Sequence, residues 1–291
     1  MTKFNDRVKK VSKETKVNKS GIHLVTLPIG NNRDLTFRAK EDLIASTIIY
    51  AEDTRVFREF CKHNDIDLEG KRIHSFHDHT GDMKMSSIVS FMKTNCVTVV
   101  SDAGSPIISD PSFPLVLAAK ENNLPISSAP GVSAVVAALE LSALPPSPFH
   151  FHSFIPRDKG PKISFFEECM NQYGTHIFFE GVSRVEKTLT ELTSSYPNES
   201  FCIARELTKT HESVHRFIGS EWNEVKADVT FKGEFVILFT SSNKNQGGSK
   251  KIREMALEII ENGAHPKKIS KLLAEITDTN AKDIYQAIGK K

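Results

Sequence analysis

Short apolar segments that each run into a tight turn are the feature that most constrains how this chain folds. Between the first two, Leu35, Ala39 and Leu43 recur every four residues, as on one face of a helix. Buried strands that alternate with helices predict an α/β fold with a mainly parallel sheet and helices on its faces. The first three such segments are His23-Leu24-Val25-Thr26-Leu27, Ile48-Ile49-Tyr50-Ala51 and Val97-Thr98-Val99-Val100.

Further apolar segments predict a second α/β domain, which includes a proline-rich connection at 144–148 that cannot be helical. Strands are expected near 177–179, 201–204 and 234–239. Beyond a Gly/Ser/Asn-rich linker, apolar periodicity predicts three short helices. The expected organisation is a basic flexible arm at 1–20, an α/β domain at 21–128, a second α/β domain at 129–243, and a linker with a three-helix module at 244–291.

Composition excludes several classes of protein. With 291 residues and 39% hydrophobic side chains, the chain can build real cores. No apolar run reaches the roughly 18–20 residues that span a bilayer, and the N-terminus lacks an apolar signal core, so we expect no membrane partner. The four cysteines form no C-x-x-C pair, which argues against a disulfide framework or a zinc finger and favours the cytoplasm.

Charge is distributed unevenly although the net charge is only +2. Residues 1–20 carry seven Lys/Arg against two Asp/Glu, and 244–291 carry ten against six. The segment between them carries 21 against 28. Two basic ends on an acidic body either bind a polyanion or only aid solubility. The three-helix module at 244–291 is either a helix-turn-helix unit or a packing or dimerisation cap.

Three glycine-containing turns follow predicted strands directly. In open α/β sheets, ligands lie at the carboxyl ends of strands, where glycine lets the backbone approach closely, although each turn alone is typical of ordinary connections. The chain contains no G-x-G-x-x-G or G-x-x-x-x-G-K-[ST] pattern, which argues against a Rossmann dinucleotide site and a P-loop. The turns are Pro28-Ile29-Gly30, Asp102-Ala103-Gly104-Ser105-Pro106 and Ala129-Pro130-Gly131.

Two polar stretches carry further candidate chemistry. His74, His77 and His79 do not have the spacing of metal ligands, and we expect this stretch to be a surface loop near a site, with His77 or His79 as a polar contact. The charged stretch 205–212 follows a predicted strand, and it forms either a solvated edge or part of a site.

An ordered set of motifs resembles the ribosomal RNA small subunit methyltransferase I family, within the tetrapyrrole (corrin/porphyrin) methylase superfamily. The resemblance covers about 21–240, and the helical tail is also similar to that family. The motifs are Leu27-Pro28-Ile29-Gly30-Asn31, Ala51-Glu52-Asp53-Thr54-Arg55, Ser101-Asp102-Ala103-Gly104-Ser105-Pro106, Ile108-Ser109-Asp110-Pro111, Pro130-Gly131-Val132-Ser133-Ala134, Ala204-Arg205-Glu206-Leu207-Thr208-Lys209 and Lys232-Gly233-Glu234-Phe235-Val236.

The resemblance implies a two-domain, non-Rossmann methyltransferase with a mainly parallel first sheet and a mixed second sheet. S-adenosylmethionine (SAM) would lie in the cleft between the domains, and no metal is expected. The family is dimeric and methylates the ribose 2′-OH of a decoding-region cytidine, at position 1402 of 16S rRNA, so the implied partners are the small ribosomal subunit and a second copy of the chain.

Residue by residue, the resemblance also implies a cofactor site. Pro28 and Gly30 would line the floor of this site. Asp102, Gly104 and Pro106 would hold the amino-acid or ribose end of SAM. Ser133 and Ala134 would lie near the SAM carboxylate. Candidates for the adenine side are Phe179, Arg205 and Glu234.

A ribose hydroxyl is a poor nucleophile, so a carboxylate that accepts its proton would help the transfer. Our catalytic candidates are Glu52 and Asp53, with Arg55 or Lys209 placing a phosphate.

The chain departs from the family pattern at several positions. Ile107 and Ser112 stand where glycine is usual, Val132 replaces a usual proline, and 180–184 differs from the usual Glu-Ser-Pro-His-Arg. A β-branched Ile107 narrows a pocket or restricts φ to negative values. Two alternatives stay open: a tetrapyrrole C-methyltransferase, from the same superfamily, and, because of Ile107, a non-catalytic RNA- or ribosome-binding protein on a methylase fold.

Overall fold

The computed structural model describes residues 19–76, 82–110, 112–242, 256–260, 262–277 and 280–289. The predicted arm up to residue 18, His77, His79, the linker and the start of the first tail helix lie outside these residues. The strands are β1 (Gly21–Val25), β2 (Ile48–Ala51), β3 (Arg72–Ser75), β4 (Cys96–Val100), β5 (Ile126–Ala129), β6 (Phe149–Phe154), β7 (Gly174–Glu180), β8 (Ser200–Arg205), β9 (Ser213–Ile218) and β10 (Phe235–Ser241). The helices are α1 (Phe37–Ala45), α2 (Thr54–His63), α3 (Asp82–Met92), α4 (Phe113–Glu121), α5 (Ala134–Ser142), α6 (Lys159–Asn171), α7 (Val185–Ser195), α8 (Trp222–Val225), α9 (Pro266–Thr277) and α10 (Ala281–Gly289), with a further helical stretch at 256–260.

The first sheet contains β1–β5 in the order β3-β2-β4-β1-β5, and every pairing is parallel. Its strand β1 pairs with β4 on one side and β5 on the other. Helices cover both faces: α1 and α2 pack with Val25 and Ile49, whereas α3 and α4 pack with Leu24 and Val99. Strands that are apolar on both faces are typical of such a covered parallel sheet.

The second sheet contains β6–β10 in the order β6-β7-β10-β8-β9. β6 and β7 run parallel, and the other pairs are antiparallel. Alternate side chains of each strand enter two different cores. Ile177 and Leu238 pack with α5 on one face, and Phe178 and Phe239 pack with α6 and α7 on the other. A parallel first sheet followed by a mixed second sheet confirms the expected α/β fold class.

Three strands were not predicted from the sequence. β3 contains Arg72 and His74, and only short apolar alternation marks it. The expectation of a surface loop at His74 was therefore wrong: this residue lies on β3, with its ring 5.0 Å from that of Tyr50. β6 and β9 escaped prediction because each mixes histidine with aromatic and polar residues.

The described part of the tail contains α9, which begins at the expected Pro266, and α10, which contains Ile284 and Tyr285. In the described residues, no helix has the length and apolar character needed to cross a membrane.

Candidate active site

The strand order creates a crevice at the carboxyl edge of the first sheet. β1 and β4 are neighbours, but the loop after β1 leads to α1 on one face and the loop after β4 leads towards α4 on the other. The carboxyl edge where two adjacent loops diverge in this way is where open α/β sheets bind ligands. The glycine turns predicted from the sequence meet at this edge.

Main-chain hydrogen bonds hold the two crevice loops in register. Leu27 N donates to Gly104 O at 3.0 Å, and Gly104 N donates to Leu27 O at 3.1 Å. Gly104 has φ +72°, a conformation that L side chains rarely adopt, so glycine fits this position. Pro28 and Pro106 are buried beneath the loops, whereas Gly30 is exposed at the rim.

Three carboxylates lie beside the crevice, after β2 and β4. Asp53 N donates to Asp102 Oδ1 at 3.0 Å, and Asp102 N donates to Glu52 Oε2 at 3.4 Å. These reciprocal contacts tie the two acidic loops together. An acidic rim favours a ligand that carries positive charge.

The Asp53 carboxylate binds Arg55 and caps the start of α2. Its Oδ1 accepts a hydrogen bond from Arg55 N at 2.8 Å as the helix cap, and its Oδ2 accepts one from Arg55 Nη2 at 2.7 Å. The Arg55 guanidinium holds the pKa of the Asp53 carboxyl well below its usual range. Asp53 is therefore a weak proton acceptor.

The N-terminus of α5 follows β5, the strand next to β1, and its first residues were predicted to lie near the SAM carboxylate. Ser133 is the N-cap residue but makes no side-chain capping hydrogen bond. The first backbone N–H groups of a helix have no intrahelical partner, so those that start with Ala134 can bind a carboxylate. Gly131 lets this turn approach β1, since a Cβ there would lie 3.0 Å from Thr26 Cβ.

A loop of the second domain, 206–212, closes on the first domain at Gly30. Asn31 N donates to Thr208 Oγ1 at 3.1 Å. A Cβ added at Gly30 would overlap the Lys209 side chain and lie 2.9 Å from Thr208 Oγ1. The crevice is thus walled by both domains. The sequence analysis did not predict the contact between Asn31 and Thr208, because no sequence pattern marks a polar residue beside a turn as a bridge between two loops.

Lys209 lies in this wall between two carboxylates. Its Nζ donates to Glu206 Oε1 at 3.0 Å and to Glu234 Oε2 at 2.9 Å. Partial desolvation lowers the pKa of Lys209, but hydrogen bonds to Glu234 and Glu206 outweigh it and raise the pKa. The Glu234 backbone N–H and the Lys209 ammonium lower the pKa of Glu206. Lys209 therefore stays charged and braces the loop.

Of the residues expected near an adenine, Arg205 points into the protein. It is buried, and its guanidinium donates to Lys232 O at 2.6 Å and to His211 O at 2.9 Å. Phe179 is half-buried and packs with its ring edge-on against Phe154. Arg205 thus holds two loops of the second domain in place, and Phe179 offers an apolar surface.

The departures from the family pattern are accommodated within the fold. Ile107 is absent from the residues with positive φ among those the structure describes, and its side chain packs against the core formed with α3 and α4. The left-handed conformation falls instead at Ser109, with φ +64°. Ser112 is buried at the start of α4, and Val132 is half-buried. Ile107 therefore contributes to the core.

The family model for tetrapyrrole (corrin/porphyrin) methylases matches residues 21–221. A protein of Streptococcus pyogenes serotype M3 called ribosomal RNA small subunit methyltransferase I is 33% identical, over 91% of this chain and 93% of its own length. A protein of Rickettsia prowazekii with the same name is 35% identical, over 92% of this chain and 93% of its own length.

Solved structures share the fold at low sequence identity. Cobalt precorrin-4 methyltransferase CbiF has a TM-score of 0.56 at 13% identity, covering 79% of this chain and 98% of its own. Uroporphyrin-III C-methyl transferase from Thermus thermophilus, complexed with S-adenyl homocysteine, has a TM-score of 0.50 at 18% identity, covering 75% of this chain and 96% of its own.

Proposed function

Since the chain belongs to the tetrapyrrole (corrin/porphyrin) methylases and, within them, to the ribosomal RNA small subunit methyltransferase I family, we propose that it transfers a methyl group from SAM to 16S rRNA. We propose further that the acceptor is the ribose 2′-OH of the decoding-region cytidine at position 1402, that the substrate is the small ribosomal subunit, and that the enzyme is a cytoplasmic homodimer. The observation that carries the proposal is the crevice walled by both domains, with glycine turns and a helix N-terminus at one edge.

The donor set of the crevice fits the chemical groups of SAM. SAM combines a sulfonium and an ammonium with a carboxylate, and the crevice places acidic residues beside a helix N-terminus. Asp102 is exposed at the rim, where a carboxylate suits an ammonium or ribose hydroxyls. Ser133 and Ala134 begin the helix that would receive the carboxylate. Pro28, Gly104 and Pro106 would form the floor of the site, and Gly30 would line it at the exposed rim.

The side facing the second domain would hold the adenine. Phe179 supplies a half-buried ring, and Glu234 has a side chain that is 76% exposed and accepts a hydrogen bond from Lys209. Arg205 would act indirectly, since its guanidinium is already bound to backbone carbonyls of two loops. We therefore assign Arg205 to positioning the loops around the cofactor.

When bound, SAM supplies an electrophilic methyl group that an oxygen nucleophile displaces in line. Alignment of two reactants can contribute roughly 7–11 kcal/mol, whereas a general base contributes about 10²–10⁴-fold. Positioning therefore outweighs proton transfer. Of the two candidate proton acceptors, Glu52 suits the role better, because the ion pair with Arg55 lowers the basicity of Asp53.

Contact with RNA is supported by exposed charge and exposed rings at the crevice rim. Phe37 and Phe113 begin α1 and α4, directly after the two crevice loops, and are 91% and 58% exposed. Unpaired bases stack on such rings, and phosphates bind basic groups. Arg55, whose side chain is 89% exposed, offers its remaining donors to a phosphate, whereas Lys209 is already shared by two carboxylates.

Transfer of a tritiated methyl group from SAM to small subunits that lack the modification tests the proposal. We expect label in the small-subunit RNA and none in the large subunit or in a porphyrin acceptor. SAM binding without transfer to RNA, together with label in a porphyrin, would replace rRNA by a tetrapyrrole. No SAM binding at all would favour the non-catalytic alternative.

Light scattering tests the homodimer separately. A mass of twice 32.5 kDa is expected at micromolar concentration.

A further inference from the structure

Three potential metal ligands from three elements meet in the second domain, in a cluster to which the proposed methyl transfer assigns no role. His152 lies on β6, Cys169 on α6 and His176 on β7. His152 Nε2 is 2.9 Å from His176 Nδ1 and 3.7 Å from Cys169 Sγ, and all three ligand atoms lie within 4.8 Å of one another. His176 and Cys169 are buried, and His152 is half-buried.

A backbone contact sets the direction of the His176 ring. His176 Nε2 lies 2.8 Å from Gln172 O, and a carbonyl oxygen can only accept, so Nε2 carries the proton. The lone pair of Nδ1 therefore points towards His152 and Cys169. Histidine ligands of metals are held in the same way, with the second ring nitrogen donating to a backbone carbonyl or a carboxylate.

Two of the three distances in the cluster, from His152 Nε2 to the other two atoms, match a tetrahedral zinc site. Zn–N bonds of about 2.0–2.1 Å and Zn–S bonds of about 2.3 Å place two nitrogens about 3.3 Å apart and nitrogen about 3.6 Å from sulfur. The observed distances of 2.9 and 3.7 Å differ from these by less than about half an ångström. When an ion replaces the direct hydrogen bond between the two histidine nitrogens, these nitrogens need to move apart only slightly.

We propose that His152, Cys169 and His176 bind one Zn²⁺ ion, with water as the fourth ligand on the side where His152 is accessible. A thiolate with two imidazoles favours Zn²⁺ over the hard cations Mg²⁺ and Ca²⁺. Binding forms a Zn–S bond in place of the S–H bond of Cys169, and the thiol proton leaves to water. His152 moves the Nε2 proton that it donates to His176 onto its Nδ1, so that Nε2 can bind the ion.

The ion would join three elements at one margin of the second sheet. β6 is an edge strand that pairs with β7 and has an irregular register between Phe151 and Phe154. The site would fasten this strand to β7 and α6. The spacing H-x16-C-x6-H matches no common zinc pattern, which explains why sequence analysis predicted no metal.

The test uses the full chain, stripped with a chelator and titrated with Co²⁺ as a spectroscopic substitute for Zn²⁺. We expect one equivalent to produce a thiolate-to-cobalt charge-transfer band and the visible bands of tetrahedral Co²⁺, and Zn²⁺ to abolish both. Zn²⁺ at 100 times its Kd should raise Tm by about 5 °C or more. Absence of the band, or a Tm that Zn²⁺ does not move, would overturn the proposal.

Paired variants decide whether this cluster is the site. Cys169→Ser should remove the charge-transfer band, whereas Cys202→Ser should keep it. Both cysteines are buried, but Cys202 lies on β8 and packs in the core with α5, on the opposite face of the second sheet from Cys169. A band that survives in Cys169→Ser would contradict the assignment. If that variant does not fold, His152→Gln at the half-buried position should weaken Co²⁺ binding at least tenfold, and unchanged affinity would contradict it equally.

Discussion

At the residue scale, two neighbouring carboxylates at the crevice differ in what they can do. Asp53 is paired with Arg55 and caps α2, and its pKa is held well below the usual range. Glu52 accepts a long hydrogen bond from Asp102 N and follows the same strand. A proton acceptor needs basicity near the working pH, and the ion pair with Arg55 takes this away from Asp53.

Conservative variants separate these two roles. We expect Glu52→Gln to slow single-turnover methyl transfer by about 10²–10⁴-fold, because it removes the proton acceptor. Asp53→Asn keeps an oxygen for the helix cap and should slow transfer by less than about tenfold. Calorimetry should show SAM affinity unchanged within about threefold in both variants. The reverse order of rates would make Asp53 the base.

Whether the sequence predicts a site residue depends on whether local or distant segments set the position of its side chain. Pro28, Gly30, Asp102 and Gly104 follow strands, so their meeting at one edge follows from a parallel sheet. The inward direction of Arg205 is set by loops far along the chain, at Lys232 and His211, and no local pattern reveals it. The roles of all these residues in binding SAM stay predictions.

At the scale of elements, the contact between the β1 loop and the 206–212 loop closes the crevice. Gly30→Ala should weaken SAM binding at least tenfold, because the new Cβ would overlap Lys209 and lie 2.9 Å from Thr208 Oγ1. Gly160→Ala is the matched control, since a Cβ there meets nothing within 4 Å. Equal SAM affinity of the two variants, measured by calorimetry, would show that this contact does not shape the site.

The 206–212 loop makes the free energy of unfolding depend on pH. The folded pKa of Glu206 is lowered from 4.5 by the Glu234 backbone N–H and by Lys209, so the folded state binds its proton less readily than the unfolded state. This contribution is present above pH 4.5 and is lost as pH falls through the folded pKa. Between about pH 6 and pH 4, the free energy of unfolding in urea should therefore fall less in Glu206→Gln than in the native chain. An identical fall in both would remove Glu206 from the acid response.

Elements were predictable where their periodicity was strong. β2, β4 and β8 have continuous apolar runs, and α1 has a regular apolar face. β6 gave no such signal because its histidines and phenylalanines are stabilised by cross-strand and helix contacts that form only in the folded sheet. The proposed metal ligands lie on this strand and its neighbours.

At the scale of the whole molecule, charge separates the ends of the chain from its body. Residues 1–20 carry seven Lys/Arg against two Asp/Glu, whereas 21–243 carry 21 against 28. An acidic body disfavours binding to RNA away from the site. The basic ends would supply the attraction to phosphate that is independent of sequence.

Deleting residues 1–20 tests that attraction. The slope of log K against log salt for RNA binding should become less steep by roughly 0.7 for each phosphate that the arm neutralises in the full chain. SAM affinity should not change, because the crevice loops lie beyond the deletion. An unchanged slope would show that the arm does not bind RNA.

If the proposed function is right, the crevice directs one methyl group to one ribose. Small subunits labelled by the purified protein would be digested with nuclease, and mass spectrometry of the fragments would locate the added methyl group. We expect a single 2′-O-methylcytidine in the decoding region. A methyl group on a base, or at many positions, would contradict it.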